Sequence, residues 1–237
     1  MKICSISDLH GNLIYYPSDY WKDLRECEIL FICGDTLPLY IQMDINKSRK
    51  WLLNKFKPWA EELPVEKVYL IAGNHDWFFE KRDAEAHELF SIDNKITYLH
   101  NECVEHISIQ DSQTYKIFGT PYCHQFGAWA FMYPEEELQK LFNVIPENVD
   151  ILITHDAPYG TSDICFEGWS ADGQHKGCPA LRDAILEKQP KYCLHGHLHS
   201  SNHNEELLNN TKIFNVSALN EEYQITYYPL ILRINKQ

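Results

Sequence analysis

Five short apolar runs in this chain each stop at a cluster of Asp, Asn or His. "KICSIS" (2–7) leads to Asp8 and His10, "EILFIC" (28–33) to Gly34 and Asp35, and "KVYLIA" (67–72) to Gly73, Asn74, His75 and Asp76. "VDILIT" (149–154) leads to His155 and Asp156, and "KYCLHG" (191–196) to His197 and His199. Runs this short, continuous and apolar suit strands buried on both faces. A sixth such run is "KIFNVS" (212–217). Between the runs lie helical stretches: 44–57, with Asp44 as N-cap, then 80–90, 134–143 and 178–188. The alternation predicts an α/β fold with parallel central strands. Residues 96–120 and 211–235 read as strand and hairpin without helix, which predicts two sheets with helices outside them. Ligands in α/β sheets bind beyond the carboxyl ends of parallel strands. Five segments far apart in sequence therefore deliver polar side chains to one rim.

The residue types at that rim select a chemistry. They are two Asp, one Asn and several His, with no Cys thiolate among them. Carboxylate, carboxamide and imidazole together suit divalent Mn, Fe, Zn or Co. The set is too large for one four-coordinate ion and sufficient for two if an Asp bridges them. Two metals ~3.5–4 Å apart form a clamp for in-line displacement at phosphorus. An Asp-x-His or Gly-Asp pair alone carries little weight, but four such motifs in order, each closing an apolar run, are not an accident of composition.

Charge narrows the substrate. Asp plus Glu number 34 against 21 for Lys plus Arg, a formal net charge of −13. A surface that acidic repels phosphate backbones, which argues against non-specific binding to long nucleic acid unless bound cations reverse the sign locally. The 237 residues hold no repeat, low-complexity tract or linker, so they read as one domain spanning 1–237. Eight Cys form no Cys-x-x-Cys pair, and several lie inside apolar runs; they read as reduced thiols of an intracellular, cytoplasmic protein. The start, "MKICSISDLHG", turns polar too soon for a signal or transit peptide. No apolar run approaches the ~20 residues of a membrane span, so no membrane partner is expected. Nothing in the sequence sets an oligomeric state.

Asp8-x-His10, Gly34-Asp35, Gly73-Asn74-His75-Asp76, His155 and Gly196-His197-x-His199 together resemble the signature of the calcineurin-like metallophosphoesterases. The resemblance implies a four-layer α/β/β/α sandwich with a dinuclear centre at one edge. It implies that Asp8, His10 and His199 hold one metal, that Asn74, His155 and His197 hold the other, and that Asp35 bridges them. Mn²⁺ is the ion expected to serve best in vitro. His75 would ligate no metal; it would stabilise a phosphoryl oxygen or protonate the leaving group while a metal-bridging hydroxide attacks phosphorus. "FGTPYCHQFGAWAF" (118–131), "DILITHDAPYG" (150–160) and "PKYCLHGHLH" (190–199) are similar to a smaller group. That group contains the vertebrate brain-expressed metallophosphoesterase-domain proteins and bacterial relatives, some of which hydrolyse cyclic nucleotides. "GDTLPLY" lacks the Asp-Arg-Gly ending and phosphate-gripping Arg of the Ser/Thr protein phosphatases, which makes protein phosphatase activity an alternative rather than the first reading. A metal-loaded scaffold without turnover, binding a partner protein, is the other alternative.

Several residues remain at the margin of this pattern. Tyr122, His124, Phe126 and Trp129 form an aromatic loop that either fills space between sheets or walls the substrate pocket. Residues 159–176 are long and polar enough for a lid or binding loop, in which His175 and Lys176 either meet a phosphate or are solvated loop residues, and Tyr159 is a further candidate for substrate contact. Asp156 is expected to accept a hydrogen bond from a metal-ligating side chain or to meet substrate, Asp76 to orient an imidazole, and His195 to support or line the pocket. Gly196 is expected to let the strand turn so that His197 and His199 reach inward. His203 is expected to face solvent, and His87, His100 and His106 to be surface or packing residues.

Overall fold

A computed structural model describes residues 1–13, 23–91, 95–165 and 173–236. Strand β1 (Lys2–Ile6) and β2 (Ile29–Cys33) come first. Helix α1 (Ile45–Trp51), a π-helical turn (Leu52–Phe56) and α2 (Lys57–Glu62) follow as one continuous rod. Then come β3 (Lys67–Ile71), α3 (Trp77–Lys81), α4 (Asp83–Ser91), β4 (Ile96–Tyr98), β5 (Glu102–Ile107) and β6 (Thr114–Thr120). Short β7 (Cys123–His124) and β8 (Met132–Tyr133) precede α5 (Glu135–Phe142) and β9 (Ile151–Thr154). The chain ends with β10 (Ile164–Cys165), β11 (Gln174–His175), α6 (Pro179–Lys188), β12 (Tyr192–His195), β13 (Glu206–Leu208), β14 (Thr211–Asn215) and β15 (Leu230–Arg233).

Two large sheets result. One runs β15-β1-β2-β3-β4, the other β13-β14-β12-β9-β6-β5. The central strands pair in parallel in both, and the edges β15, β13 and β5 run antiparallel. Alternation along each strand decides which way a side chain faces. Ile29, Phe31 and Cys33 of β2, Tyr69 and Ile71 of β3, Ile151 and Ile153 of β9 and Leu194 of β12 form one buried layer, between the sheets. Their alternates Leu30, Ile32, Val68, Leu70, Leu152 and Cys193 belong to a second cluster with Phe56, Phe79 and Phe90 from the helices of the first half and Phe142, Leu181 and Ile185 from those of the second. The layers are thus helix, sheet, sheet, helix, the expected four-layer sandwich.

Two boundaries differ from expectation. The helix predicted over 44–57 runs on to Glu62, and its widened turn sits just before Pro58, whose ring and missing N–H disfavour an ordinary α-turn. Asp44 does cap it, accepting from the Lys47 amide at 3.1 Å. The helix predicted over 80–90 begins at Trp77 and breaks at Arg82. The tail is also no hairpin of its own: β14 pairs with β13 and β12, and β15 crosses to close the first sheet beside β1.

Candidate metal centre

The loops that leave the strands are stitched to one another before any side chain reaches the site. The Asp8 amide donates to the Gly34 carbonyl at 3.1 Å and the His10 amide to the Asp35 carbonyl at 2.9 Å, joining the exits of β1 and β2. The His75 amide donates to Asp35 Oδ1 at 2.8 Å, adding the exit of β3. The second sheet joins through Asp8, whose carboxylate accepts from the His197 amide at 3.0 Å and from Ser217 Oγ at 2.7 Å. Backbone geometry is unusual here. Asp8, His10, Asp35 and His197 have φ of 56°, 42°, 51° and 70°, in the left-handed region that non-glycine residues seldom occupy. Each such residue costs roughly 1–3 kcal/mol, and such positions gather at functional sites.

Asp8, His10 and His199 present ligand atoms within 4.8 Å of one another, and so do Asp8, Asp35 and His155. The carboxylates face the rings at ion-pair distances: His199 Nε2 to Asp8 Oδ1 3.4 Å, His155 Nε2 to Asp35 Oδ2 3.3 Å, His10 Nε2 to Asp35 Oδ2 3.6 Å. Asn74 Oδ1 lies 3.0 Å from His155 Nε2, and the His197 ring is centred 5.1 Å from that of His155. The far nitrogens are held by the backbone. His155 Nδ1 donates to the Cys33 carbonyl at 2.8 Å and His199 Nδ1 to the Asn220 carbonyl at 3.1 Å. A ring held this way turns its Nε2 lone pair inward, the arrangement that orients metal-ligating histidines. At His155 that lone pair meets two further acceptors, Asn74 Oδ1 and Asp35 Oδ2; only a positive charge in their midst, a proton or a cation, reconciles three acceptors. The donor set therefore fits divalent cations.

Electrostatics reads the same way. Burial works against the charges of Asp8 and Asp35, but the surrounding imidazoles outweigh it and hold both carboxyls well below the usual range. Burial also opposes charge on His155, yet Asp35 pushes it up to about 10. Burial wins at His10 and His197, which fall to about 4 and so offer neutral rings as ligands at neutral pH.

A cleft of about 430 Å³ opens over these groups. His75 reaches into it beside His10, ring centroids 5.0 Å apart, with Trp129 packed against it at 4.7 Å. His75 Nδ1 is hydrogen-bonded to Gln42 Oε1, and its Nε2 lies 3.9 Å from Asp35 Oδ2. Phe126 lies against His197 and Tyr223 against His10 and His199, all facing the cleft.

Other expectations need correction. Asp76 orients no imidazole: its buried carboxylate accepts from the amides of Thr36, Leu37 and Gly73, tying the β2 and β3 exits together, and burial and the Asp35 charge push its pKa up. Tyr122 does not line the cleft; it is 8% exposed and its hydroxyl bonds His100 Nε2 at 3.1 Å. Tyr159 and His175 also lie outside the cleft wall, their rings 5.5 Å apart, and His175 Nδ1 pairs with Asp163 at 2.6 Å. Lys176 does reach the cleft. Residues 166–172 of the predicted loop lie outside the described residues. His195 is fully buried behind the cleft, lowered to about 4 by burial. His203 is not solvent-facing: it stacks on Tyr227 at 3.5 Å. Gly196 serves close approach rather than a turn, since a Cβ there would overlap Ser7 Oγ and Asp8 Oδ2.

Sequence reasoning missed Gln42, Ser217 and Tyr223. "YIQMD" gives no sign of Gln42, which a loop carries to His75. Ser217 did carry a signal, for it closes the sixth apolar run as the ligands close the others.

Comparison with known proteins agrees with the geometry. A family model described as calcineurin-like phosphoesterase matches residues 1–201. The human Metallophosphoesterase domain-containing protein 1 is 27% identical over 223 residues, covering 86% of this chain and 64% of its own. This chain thus spans less than two thirds of that relative's length. A UPF0046 protein of Caenorhabditis elegans is 26% identical over 249 residues, covering 100% of this chain and 76% of its own. A solved dimetal phosphatase from Danio rerio shares the fold at 12% identity, with a TM-score of 0.54 over 91% of this chain and 86% of that one. By its motifs, its layers and the match over residues 1–201, the chain belongs to the calcineurin-like phosphoesterase family.

Proposed function

We propose that this chain is a dinuclear-metal-dependent hydrolase of phosphate esters, acting on a small-molecule monoester or diester. The observation that carries the reading is that Asp8, His10 and His199, and again Asp8, Asp35 and His155, bring their ligand atoms within 4.8 Å of one another at the strand ends of both sheets. In this reading Asp8, His10 and His199 hold one cation, Asn74, His155 and His197 the other, and Asp35 stands between them. The bound pair would supply an activated water and neutralise charge on the phosphoryl oxygens.

The chain's own residues do the rest. Cys33 and Asn220 carbonyls fix the His155 and His199 rings, and the Gln42 contact fixes His75 with Nε2 toward the centre. With Nδ1–H given to Gln42, His75 would donate from Nε2 to a phosphoryl oxygen as the imidazolium. Phe126, Trp129 and Tyr223 give the cleft aromatic walls for an apolar or aryl part of the ester. Among the described residues no Arg lines the cleft, which supports a small ester over a phosphoprotein. Eight free Cys support a cytoplasmic setting. Among the described residues no helix is long and apolar enough to cross a membrane.

The test is hydrolysis of p-nitrophenyl phosphate and bis(p-nitrophenyl) phosphate with added Mn²⁺, with metal content per chain measured in parallel. His75→Ala is expected to keep its metal and lose 10²-fold or more in rate, and Asp35→Ala to lose both. Equal rates in wild type and both variants would overturn the reading, and metal without turnover on a wide ester panel would move the protein to the scaffold alternative.

A further inference from the structure

His124 was unassigned by any motif, yet it forms with Asp156 a dyad that faces the cleft. Its Nδ1 donates to Asp156 Oδ2 at 2.7 Å, and its own amide donates to the same oxygen at 2.8 Å. Asp156 is fully buried; its other oxygen accepts the Ala157 amide at 2.9 Å, and its carbonyl accepts Thr154 Oγ1 at 2.8 Å. The carboxylate is therefore locked, and it locks the ring. With Nδ1 occupied, Nε2 is the free end of a ring that lines the cleft. Phe126 separates it from the His197 ring, with centroids 5.6 Å from His124 and 5.4 Å from His197.

The two non-ligating imidazoles of the cleft therefore occupy different ends of the ligand set. His75 lies beside His10 with Nε2 toward Asp35, and His124 lies beyond Phe126 on the His197 side. In-line displacement can be assisted at two places, the equatorial oxygens and the departing oxygen, and two separately held rings can serve them separately. Burial opposes a proton on His124, but Asp156 outweighs it and raises the pKa; Glu135 adds to the rise and Lys176 opposes it.

Resting on the hydrolase reading, we propose that His124 is a second catalytic imidazole, giving its Nε2 proton to the departing oxygen, with Asp156 as its positioning residue. The step balances within hydrolysis. Water forms the new P–O bond as the bond to the leaving alcohol breaks; that electron pair stays on the departing oxygen, which takes the Nε2 proton. The proton lost by the attacking water restores the ring. His75 is left to the phosphoryl oxygen.

The test compares esters of a good leaving group, p-nitrophenol, and a poor one, phenol or methanol. His124→Gln, with His124→Asn as a second variant should the first fail to fold, is expected to lose about 10²-fold in kcat on the poor leaving group and under tenfold on p-nitrophenyl ester. A readout free of turnover is the ¹⁵N imidazole spectrum of the metal-free protein. His124 should show a bonded Nδ1–H, and Asp156→Asn should shift its tautomer and reproduce the leaving-group dependence. Equal losses on both esters, or no loss, would overturn the role of His124. A tautomer indifferent to Asp156→Asn would overturn the positioning role. Wild-type protein inactive on every ester would overturn the hydrolase reading beneath both.

Discussion

Gly196→Ala is the sharpest probe of how the centre is assembled. A Cβ built on Gly196 overlaps Ser7 Oγ and Asp8 Oδ2 and comes within 2.5 Å of Ser7 Cβ, where ordinary contact begins near 3.4 Å. Neither neighbour is free to give way. Ser7 Oγ donates to the Cys33 carbonyl at 2.7 Å, and Asp8 is held by Ser217 Oγ at 2.7 Å and the His197 amide at 3.0 Å. Inserting a methyl where nothing relaxes costs about 1–3 kcal/mol, and this site belongs at the upper end. For a domain of this size that lowers Tm by roughly 4–12 °C. On the dinuclear reading, displacing Asp8 should also cut bound metal from two ions per chain to one or none. Gly160→Ala is the control: it has positive φ, +83°, but no atom within 4 Å of its Cβ, so it should cost about 1 kcal/mol and leave metal content unchanged. Differential scanning calorimetry and elemental analysis of both variants decide the matter. A Gly196→Ala protein that melts within a degree of wild type with its metal intact would refute the close-approach argument.

Other perturbations test the frame around the centre. The buried Glu28 carboxylate accepts from Ser108 Oγ, His106 and the amides of Ile109 and Gln110, so Glu28→Ala should cost about 2–4 kcal/mol in urea unfolding by stranding those donors. Burial works against its charge, but these donors outweigh it and hold its pKa below the ordinary 4.5; its stabilisation is complete above that value and is lost as pH falls through the lower native one, which acid titration of wild type against Glu28→Gln should show as a shallower slope in the variant. Phe31, fully buried between the sheets, should cost about 3–5 kcal/mol on truncation to Ala while metal content stays at the wild-type level. Gln42→Ala should leave metal content and Tm near wild type but lower kcat, since it frees only the His75 ring.

What was legible in the sequence followed the strands. Asp8, Asp35, Asn74, His155, His197 and His199 each lie within three residues of an apolar run, so the strands bring them to one edge of the sheets. What was not legible depends on paths the strands do not fix. Gln42 reaches His75 through a turn, Tyr223 reaches His10 from the tail, and His203 finds Tyr227 twenty-four positions on. Asp156 was expected to accept from a metal-ligating side chain; it accepts instead from His124, across 32 positions. Tyr122 and Asp76 read as site residues because they adjoin motifs; burial turns one into the core and the other onto backbone amides.

The candidate ligand set is divided between the sheets: Asp8, His10, Asp35 and Asn74 leave the first, and His155, His197 and His199 the second. On the dinuclear reading, ions that bind only when both sheets are docked are reagents of the folding equilibrium as well as of the reaction. Free metal at a hundredfold above Kd adds about 2.7 kcal/mol per ion to the folded state. That is comparable with the strain carried by two of its left-handed residues. Metal supply would then set how much of the protein survives proteolysis, so that starvation for the ion lowers the number of folded molecules before it lowers the occupancy of those that remain.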